Sequence, residues 1–364
     1  MPNQLPPSPD AAAALEIAAA QARSLPKVLL HEHLDGGLRV PTLHGLLRAK
    51  GLPSPADDPQ SLARWFDAHA HAGSLEQYLA GFALTVSAMA SPAAMEQVAF
   101  EAAEDALADG CVLAEFRIAP LLFEAHGVAP EAAVEALLAG LRRSRLASGL
   151  IVCAMREQPP ASSVRAAQLA LRHRDQGVIG FDLAGPEFGF PPSLHAEALK
   201  LVRDAGLGIT LHAGEADGAP RVLEAAELGA TRIGHGVRLS EALAPGGDRA
   251  LFDRVLQRGV HLEVCPTSNV HTGAYASLAT HPIGALWQAG VDLSFHTDNR
   301  LMSATTMAAE AEVLVRECGL TLADLASMTL AAADGSFMPA ADRARARDAV
   351  MAWAAAEQVA LAAA

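Results

Sequence analysis

Short apolar runs recur along this chain, separated by longer Ala/Leu-rich stretches whose apolar positions repeat at helical spacing. The first run is Lys27-Val28-Leu29-Leu30-His31-Glu32-His33-Leu34-Asp35-Gly36. Others follow at Val112–Ala119, Leu150–Arg156, Val178–Ala184, Gly208–His212, Thr231–Gly234, Val260–Cys265 and Val291–Thr297. Between most of them lies a helical pattern: Pro130–Ala147, Ser163–Arg174, Leu194–Ala205 and Arg221–Leu228. Apolar strands alternating with helices predict a parallel sheet buried on both faces. Eight such strands predict an α/β chain closed into a (β/α)8 TIM barrel.

Two regions depart from the alternation. Residues 38–110 read as helices at Pro41–Lys50, Gln60–His71, Leu75–Met89 and Pro92–Asp109, more than one βα unit needs. This helical insertion after strand one is expected to lie over the C-terminal mouth of the barrel as a lid. The end of the chain reads as a helical tail, at Thr306–Cys318, Leu322–Ala333 and Arg343–Ala363. Residues 1–9 read as a loose tail and 10–24 as an Ala-rich helix. The expected organisation is therefore an N-terminal tail and helix over 1–26 and a single barrel domain over 27–364.

Composition narrows the function. Hydrophobic residues make up 51% of the chain, enough for a large core, and the net charge is -14. The lysines are Lys27, Lys50 and Lys200 alone, and no basic patch interleaved with aromatics appears. That argues against nucleic-acid and anionic-membrane partners. No apolar run approaches the roughly 20 residues of a membrane helix. The N-terminus lacks the charged and apolar regions of a signal peptide. Cys111, Cys153, Cys265 and Cys318 form no CxxC pair and are expected to be reduced thiols of a cytoplasmic protein.

Polar residues gather at the C-terminal ends of the runs, where barrel enzymes build their sites. On an extended strand His31, His33 and Asp35 share one face, and Glu32 and Leu34 the other. Later runs end in Glu115 and Arg117, Asp182 and Gly185, His212-Ala213-Gly214-Glu215, His235-Gly236, Pro266-Thr267-Ser268-Asn269 and Thr297-Asp298-Asn299. His31, His33, His212 and Asp298 together supply three neutral nitrogens and a carboxylate. That set suits Zn2+ or a similar first-row divalent ion, with a place left for water. Such an ion can lower the pKa of its water to about 7. Glu215, three residues past His212, is placed to face the substrate without being a ligand, which suits a proton shuttle. His235 could hydrogen-bond the attacking hydroxide or stabilise charge, and Asp298 could both touch the metal and take a proton from the water. No lysine ends a strand, which favours one metal over a carboxylated-lysine pair.

The motifs His31-Glu32-His33-Leu34-Asp35-Gly36, Asp182-Leu183-Ala184-Gly185, His212-Ala213-Gly214-Glu215, Gly234-His235-Gly236 and Thr297-Asp298-Asn299 stand in the order seen in adenosine deaminases. The chain resembles that family, of the amidohydrolase-type metal barrels, from about Lys27 to Pro339. The resemblance implies zinc-dependent replacement of the purine 6-amino group by oxygen, giving inosine and ammonia from adenosine, with 2′-deoxyadenosine as a second substrate. It implies one Zn2+ per chain, held by His31, His33, His212 and Asp298. Glu215 would protonate purine N1, and His235 would orient the attacking hydroxide. On the substrate side, Gly185 would let the backbone approach N3, Asp35 would bind the ribose 5′-hydroxyl beside His33, and Leu62, Trp65 and Phe66 would form an apolar gate.

Many family members carry an Asp where this chain has Asn299, facing purine N7. An amide NH2 donates to that acceptor at any pH, so Asn299 suits the role. Two alternatives remain open: a deaminase of adenine or of a 5′-modified adenosine such as aminodeoxyfutalosine, and another mononuclear amidohydrolase. Asp35 favours a free 5′-hydroxyl. Of the other polar residues, His69 and His71 read as surface, His296 as barrel filling or support for a ligand, and Asp182 as support for a ligand. Glu115 and Arg117 read as partners of each other or of neighbouring strand ends. His173, His195, His271 and His281 carry no signal.

Overall fold

The computed structural model describes residues 9–70 and 75–361. Eight strands form one sheet: β1 Lys27–His33, β2 Cys111–Ile118, β3 Ser148–Met155, β4 Val178–Ala184, β5 Gly208–Ala213, β6 Arg232–His235, β7 His261–Val264 and β8 Leu293–Phe295. They lie in sequence order, and every neighbouring pair is parallel. The ring closes through one parallel bridge, Glu32 to Asp298, between β1 and the segment just past β8. The His33 N–H donates to the Asp298 carbonyl at 2.8 Å, and the Asp298 N–H donates to the His31 carbonyl at 2.9 Å. The alternation read from the sequence is thus a (β/α)8 barrel.

Strand one is shorter than its apolar pattern suggests. It ends at His33, and Leu34–Gly36 forms a tight 3-10 turn. The Gly36 carbonyl accepts from the Leu301 N–H at 2.9 Å, which pins this turn to the segment after β8. Asp35 therefore reaches the site from a turn, not from the strand face it was expected to share with His31 and His33.

The insertion contains helices at Val40–Lys50, Pro59–Ala70, Leu75–Met89 and Pro92–Ala108. The last packs on β2 and on the helix Pro130–Arg143 through buried Ala99, Ala102, Ala103 and Ala106, as the outer helix of the first βα unit. The helix Leu75–Met89 lies against the 3-10 segments Leu34–Gly36 and Pro120–His126, over the C-terminal ends of β1 and β2. The N-terminal helix Pro9–Ser24 docks on Met307–Glu317, with Ala19 and Ala22 fully buried. The last helix, Ala340–Ala356, stops seven residues short of the expected Ala363. No Gly or Pro marks that stop; Gln358 takes a left-handed backbone at φ 57° and ends the winding. Residues 1–8 of the expected loose tail and His71 lie outside the described residues, and Pro9 already opens the first helix.

Candidate active site

The side chains of β1 alternate, so His31 and His33 leave it on the same side, into the mouth of the barrel. His212 arrives from β5, and Asp298 from the segment that closes the ring. His33 Nε2 and His212 Nε2 face each other at 3.1 Å. Asp298 Oδ1 lies 3.3 Å from His31 Nε2 and 3.5 Å from His33 Nε2. One ligand-type atom from each of the four residues falls within 4.8 Å of all the others. Asp298 and His235 are held at φ 60° and φ 65°, a region non-glycine residues enter at a cost. The turn each makes aims its side chain into the mouth.

Two of the imidazoles are fixed from behind by buried carboxylates. His31 Nδ1 lies 2.9 Å from Glu263 Oε2, and His212 Nδ1 lies 3.1 Å from Asp182 Oδ1. Each such contact puts the ring proton on Nδ1 and leaves Nε2 as a lone pair facing the cluster. Arg117 ties the two carboxylates together, donating to Asp182 Oδ2 at 3.0 Å and to Glu263 Oε2 at 2.7 Å. Arg232 donates to Glu263 Oε1 and to Glu115 Oε2, both at 2.6 Å. Glu115 and Arg117 therefore pair with other strands and not with each other. Burial pushes the Glu263 carboxyl up, but Arg117, Arg232 and His31 outweigh it and hold it well below the usual range. Burial likewise opposes ionisation of Asp298, and the His31, His235 and His33 imidazoles beside it overcome that. Burial holds His33 well below the ordinary histidine value, which favours the neutral, ligating form.

These four residues fit a divalent cation. His31 Nε2 is buried and has no hydrogen-bond partner among the described residues. The lone pair on His212 Nε2 faces His33 Nε2 at 3.1 Å, close enough for one ion to reach both. A cation satisfies all three nitrogens and the carboxylate at once.

Glu215 stands beside this cluster in the turn after β5. Its Oε1 accepts from the Thr272 hydroxyl at 2.8 Å and from Asn269 Nδ2 at 3.2 Å, and its Oε2 lies 3.5 Å from His235 Nε2. The turn itself is caught by Glu187. That buried carboxylate accepts from the backbone N–H groups of Gly214, Glu215, Ala216 and Asp217, the last three at 3.0, 2.8 and 3.0 Å. His33, Asp35, Gly185, His212, Glu215, His235, Asp298 and Asn299 line one cavity, whose apolar wall includes Phe82, Leu122 and Met155. Asp35 Oδ1 is buried with no hydrogen-bond partner among the described residues, and burial pushes its carboxyl up to about 7. Gly185 turns at φ 94°, a left-handed backbone that glycine adopts without the strain a side chain would bring.

Similarity to known proteins agrees with this geometry. The adenosine deaminase family model matches residues 26–353. The chain belongs to the adenosine deaminase family. The adenosine deaminase of Mycobacterium avium (strain 104) is 42% identical over 343 residues, covering 89% of this chain and 93% of that one. The solved adenine deaminase of Arthrobacter aurescens superposes with a TM-score of 0.82 at 25% identity, covering 91% of this chain and 99% of that one. An Arabidopsis N6-mAMP deaminase superposes with a TM-score of 0.79 at 25% identity, covering 92% and 99%. The family is metal-dependent, and the His31, His33, His212 and Asp298 group could hold that metal.

Leu62, Trp65 and Phe66 were expected to gate the cavity, yet none is among the residues that line it. Leu62 and Phe66 are 0% and 3% exposed. The amphipathic helix Pro59–Ala70 turns them into the core, and Phe66 borders a separate cavity with Arg39 and Arg300. Phe82, on the next helix, supplies an apolar wall instead. His69 does not stand free on the surface: its ring stacks on Trp65 at 3.8 Å. His296 fills the barrel, accepting from the Leu30 N–H at 3.1 Å. Sequence reasoning missed Glu263, Arg232, Glu187 and His281. A single charge inside the apolar run Val260–Cys265 was the available signal for Glu263. His281 carried none.

Proposed function

We propose that this protein hydrolyses the 6-amino group of adenosine and 2′-deoxyadenosine, giving inosine and 2′-deoxyinosine respectively, each with ammonia, and does so with one Zn2+ per chain. The observation that carries the reading is one cavity lined by three of the four clustered metal-type ligands (His33, His212 and Asp298), a half-buried carboxyl (Glu215) and an imidazole (His235), in a chain of the adenosine deaminase family. Three imidazoles and one carboxylate favour zinc among the divalent ions. When bound, that ion supplies a water activated at neutral pH.

The chain's own residues then make the purine reactive and hold it. Glu215 gives a proton to N1, which draws electrons from C6. His235 orients the nucleophile that adds at C6. The C6–N6 bond breaks as the added oxygen becomes the C6 carbonyl, and the proton that oxygen loses goes to the amino group, which leaves as ammonia. Asn299 Nδ2 donates to N7, the Gly185 backbone approaches N3, and Asp35 with His33 takes the ribose 5′-hydroxyl. The unpaired buried Asp35 Oδ1 supports a substrate that brings a hydroxyl over free adenine, because a polar atom left without a partner costs about 1–3 kcal/mol. Free thiols at Cys111, Cys153, Cys265 and Cys318 suit a reducing cytoplasm. Among the described residues no helix is long and apolar enough to cross a membrane.

The test is ammonia release by purified, metal-analysed protein from adenosine, 2′-deoxyadenosine, adenine and a 5′-substituted adenosine. Fast turnover of the two nucleosides with about one zinc per chain is the expected result. Turnover of adenine or the 5′-substituted compound alone would reassign the pocket, and no release from any of them would overturn the reading.

A further inference from the structure

Asn269 sits on the short helix Pro266–His271 that follows β7, and it is fully buried. Its Nδ2 lies 3.2 Å from Glu215 Oε1 and 3.1 Å from His235 Nδ1, and its Oδ1 lies 3.3 Å from His281 Nε2. The orientation of such an amide is decided by its neighbours. Here the decision starts from a group with no freedom. The backbone N–H of Ile283 donates to His281 Nδ1 at 3.3 Å, so that ring nitrogen carries no proton. Burial, with a smaller push from His235, lowers His281 to about 3, so its ring is neutral near pH 7. Its one proton is therefore on Nε2 and is donated to Asn269 Oδ1.

The amide NH2 is thereby turned toward the site. One of its N–H groups goes to Glu215 Oε1, the atom that also accepts from Thr272. The other goes to His235 Nδ1, which must then be an acceptor. Glu215 Oε1, which accepts from the Thr272 hydroxyl, calls for the same orientation, since an amide oxygen placed there would face another acceptor.

We infer that Asn269 is a positioning residue, set by Ile283 and His281, that holds neutral His235 as its Nε2–H tautomer. His235 then enters the reaction as a hydrogen-bond donor at Nε2 and not as a base at that atom. The same amide fixes Glu215 by Oε1 and leaves Oε2, which lies 3.5 Å from His235 Nε2. One side chain thus sets both groups against each other. The catalytic use of this donor rests on the deaminase reading, but the tautomer does not.

The test is long-range 1H–15N NMR of [15N]histidine-labelled holoenzyme, with the His235 signals assigned by difference against His235→Gln. The expected result is a proton on Nε2 and a bare Nδ1. A His235 ring protonated at Nδ1, neutral or cationic, overturns the inference without touching the substrate assignment. Asn269→Asp keeps the shape but replaces the donors with acceptors. With adenosine, its kcat should fall about tenfold or more while KM stays within about threefold and bound metal is kept. Wild-type kcat in Asn269→Asp would also overturn it. Failure of the wild-type enzyme to release ammonia would count against the deaminase reading alone.

Discussion

Asp298 meets His31 twice: its backbone N–H donates to the His31 carbonyl at 2.9 Å, and its Oδ1 lies 3.3 Å from His31 Nε2. The seam that closes the barrel and the cluster that fits a metal are therefore the same pair of segments. Metal binding should hold the seam shut. Stripping the metal should lower Tm by on the order of 5 °C, and re-adding it should restore Tm, as mass action requires. His212→Ala should reduce bound metal. Differential scanning calorimetry alongside metal analysis checks both; an unchanged Tm after verified metal loss would separate the seam from the site.

Glu263 holds His31 Nδ1 while balancing Arg117 and Arg232 in the barrel interior. Glu263→Gln keeps the shape but leaves two buried guanidinium groups short of a partner charge. Stability should drop by about 3 kcal/mol, as when one member of a buried pair is removed. Metal affinity should weaken about 10- to 100-fold, as for groups that orient ligands. Urea unfolding and competitive chelator titration report the two effects separately.

The contrast between Glu263 and His31 shows what the sequence could carry. His31, His33, His212 and Asp298 were legible because strand alternation and strand-end position are local properties, and a barrel brings strand ends together wherever they occur in the chain. Glu263 was hidden because its role comes from partners on β1, β2, β5 and β6, which no local pattern records. His281 was hidden for the same reason: its meaning begins at a backbone N–H two residues away and ends across the cavity. The burial of Leu62 and Phe66 was not legible in the same way, because i, i+3, i+4 spacing in Pro59–Ala70 predicts an apolar face but not what that face covers.

Asn299 lies over Gly36, where a Cβ would meet its Oδ1 at 1.9 Å. Asn299→Ala should raise KM for adenosine about tenfold, the worth of one good hydrogen bond, and lower turnover. Gly36→Ala should reproduce that defect by displacing the Asn299 side chain, with metal content unchanged. Steady-state kinetics on both variants decide it; a silent Asn299→Ala would mean N7 is held by another group.

Glu310 is buried, and burial pushes its carboxyl up to about 7 despite donors from Thr267 and Thr305. Its folded pKa thus exceeds the value of about 4.3 expected in the unfolded chain. The folded state binds the proton more tightly over that window, so stability falls as pH rises from about 4.3 to 7. The full effect is on the order of 3 kcal/mol. Glu310→Gln is neutral throughout, so its stability relative to wild type should climb between pH 5 and pH 8. Denaturant unfolding at the two pH values measures this, and a pH-independent difference would show that Glu310 is charged in the folded protein.

Glu187 closes on four consecutive backbone N–H groups of the turn that carries Glu215. Glu187→Ala should leave those donors buried without an acceptor and loosen the turn. We expect kcat to fall about tenfold or more with metal content kept, because a displaced acid loses its reach to the substrate. Loss of metal in proportion to loss of activity would instead place the damage at His212.

The most direct measurement is turnover of adenosine by Glu215→Gln, made beside zinc analysis and substrate-analogue binding on the same sample. Glu215 as the acid predicts wild-type zinc, substrate-analogue affinity within about threefold, and kcat lower by at least about 100-fold, the worth of a placed proton donor. Near-normal kcat in the zinc-loaded variant would contradict the proposal that this cavity works by protonating the purine through Glu215.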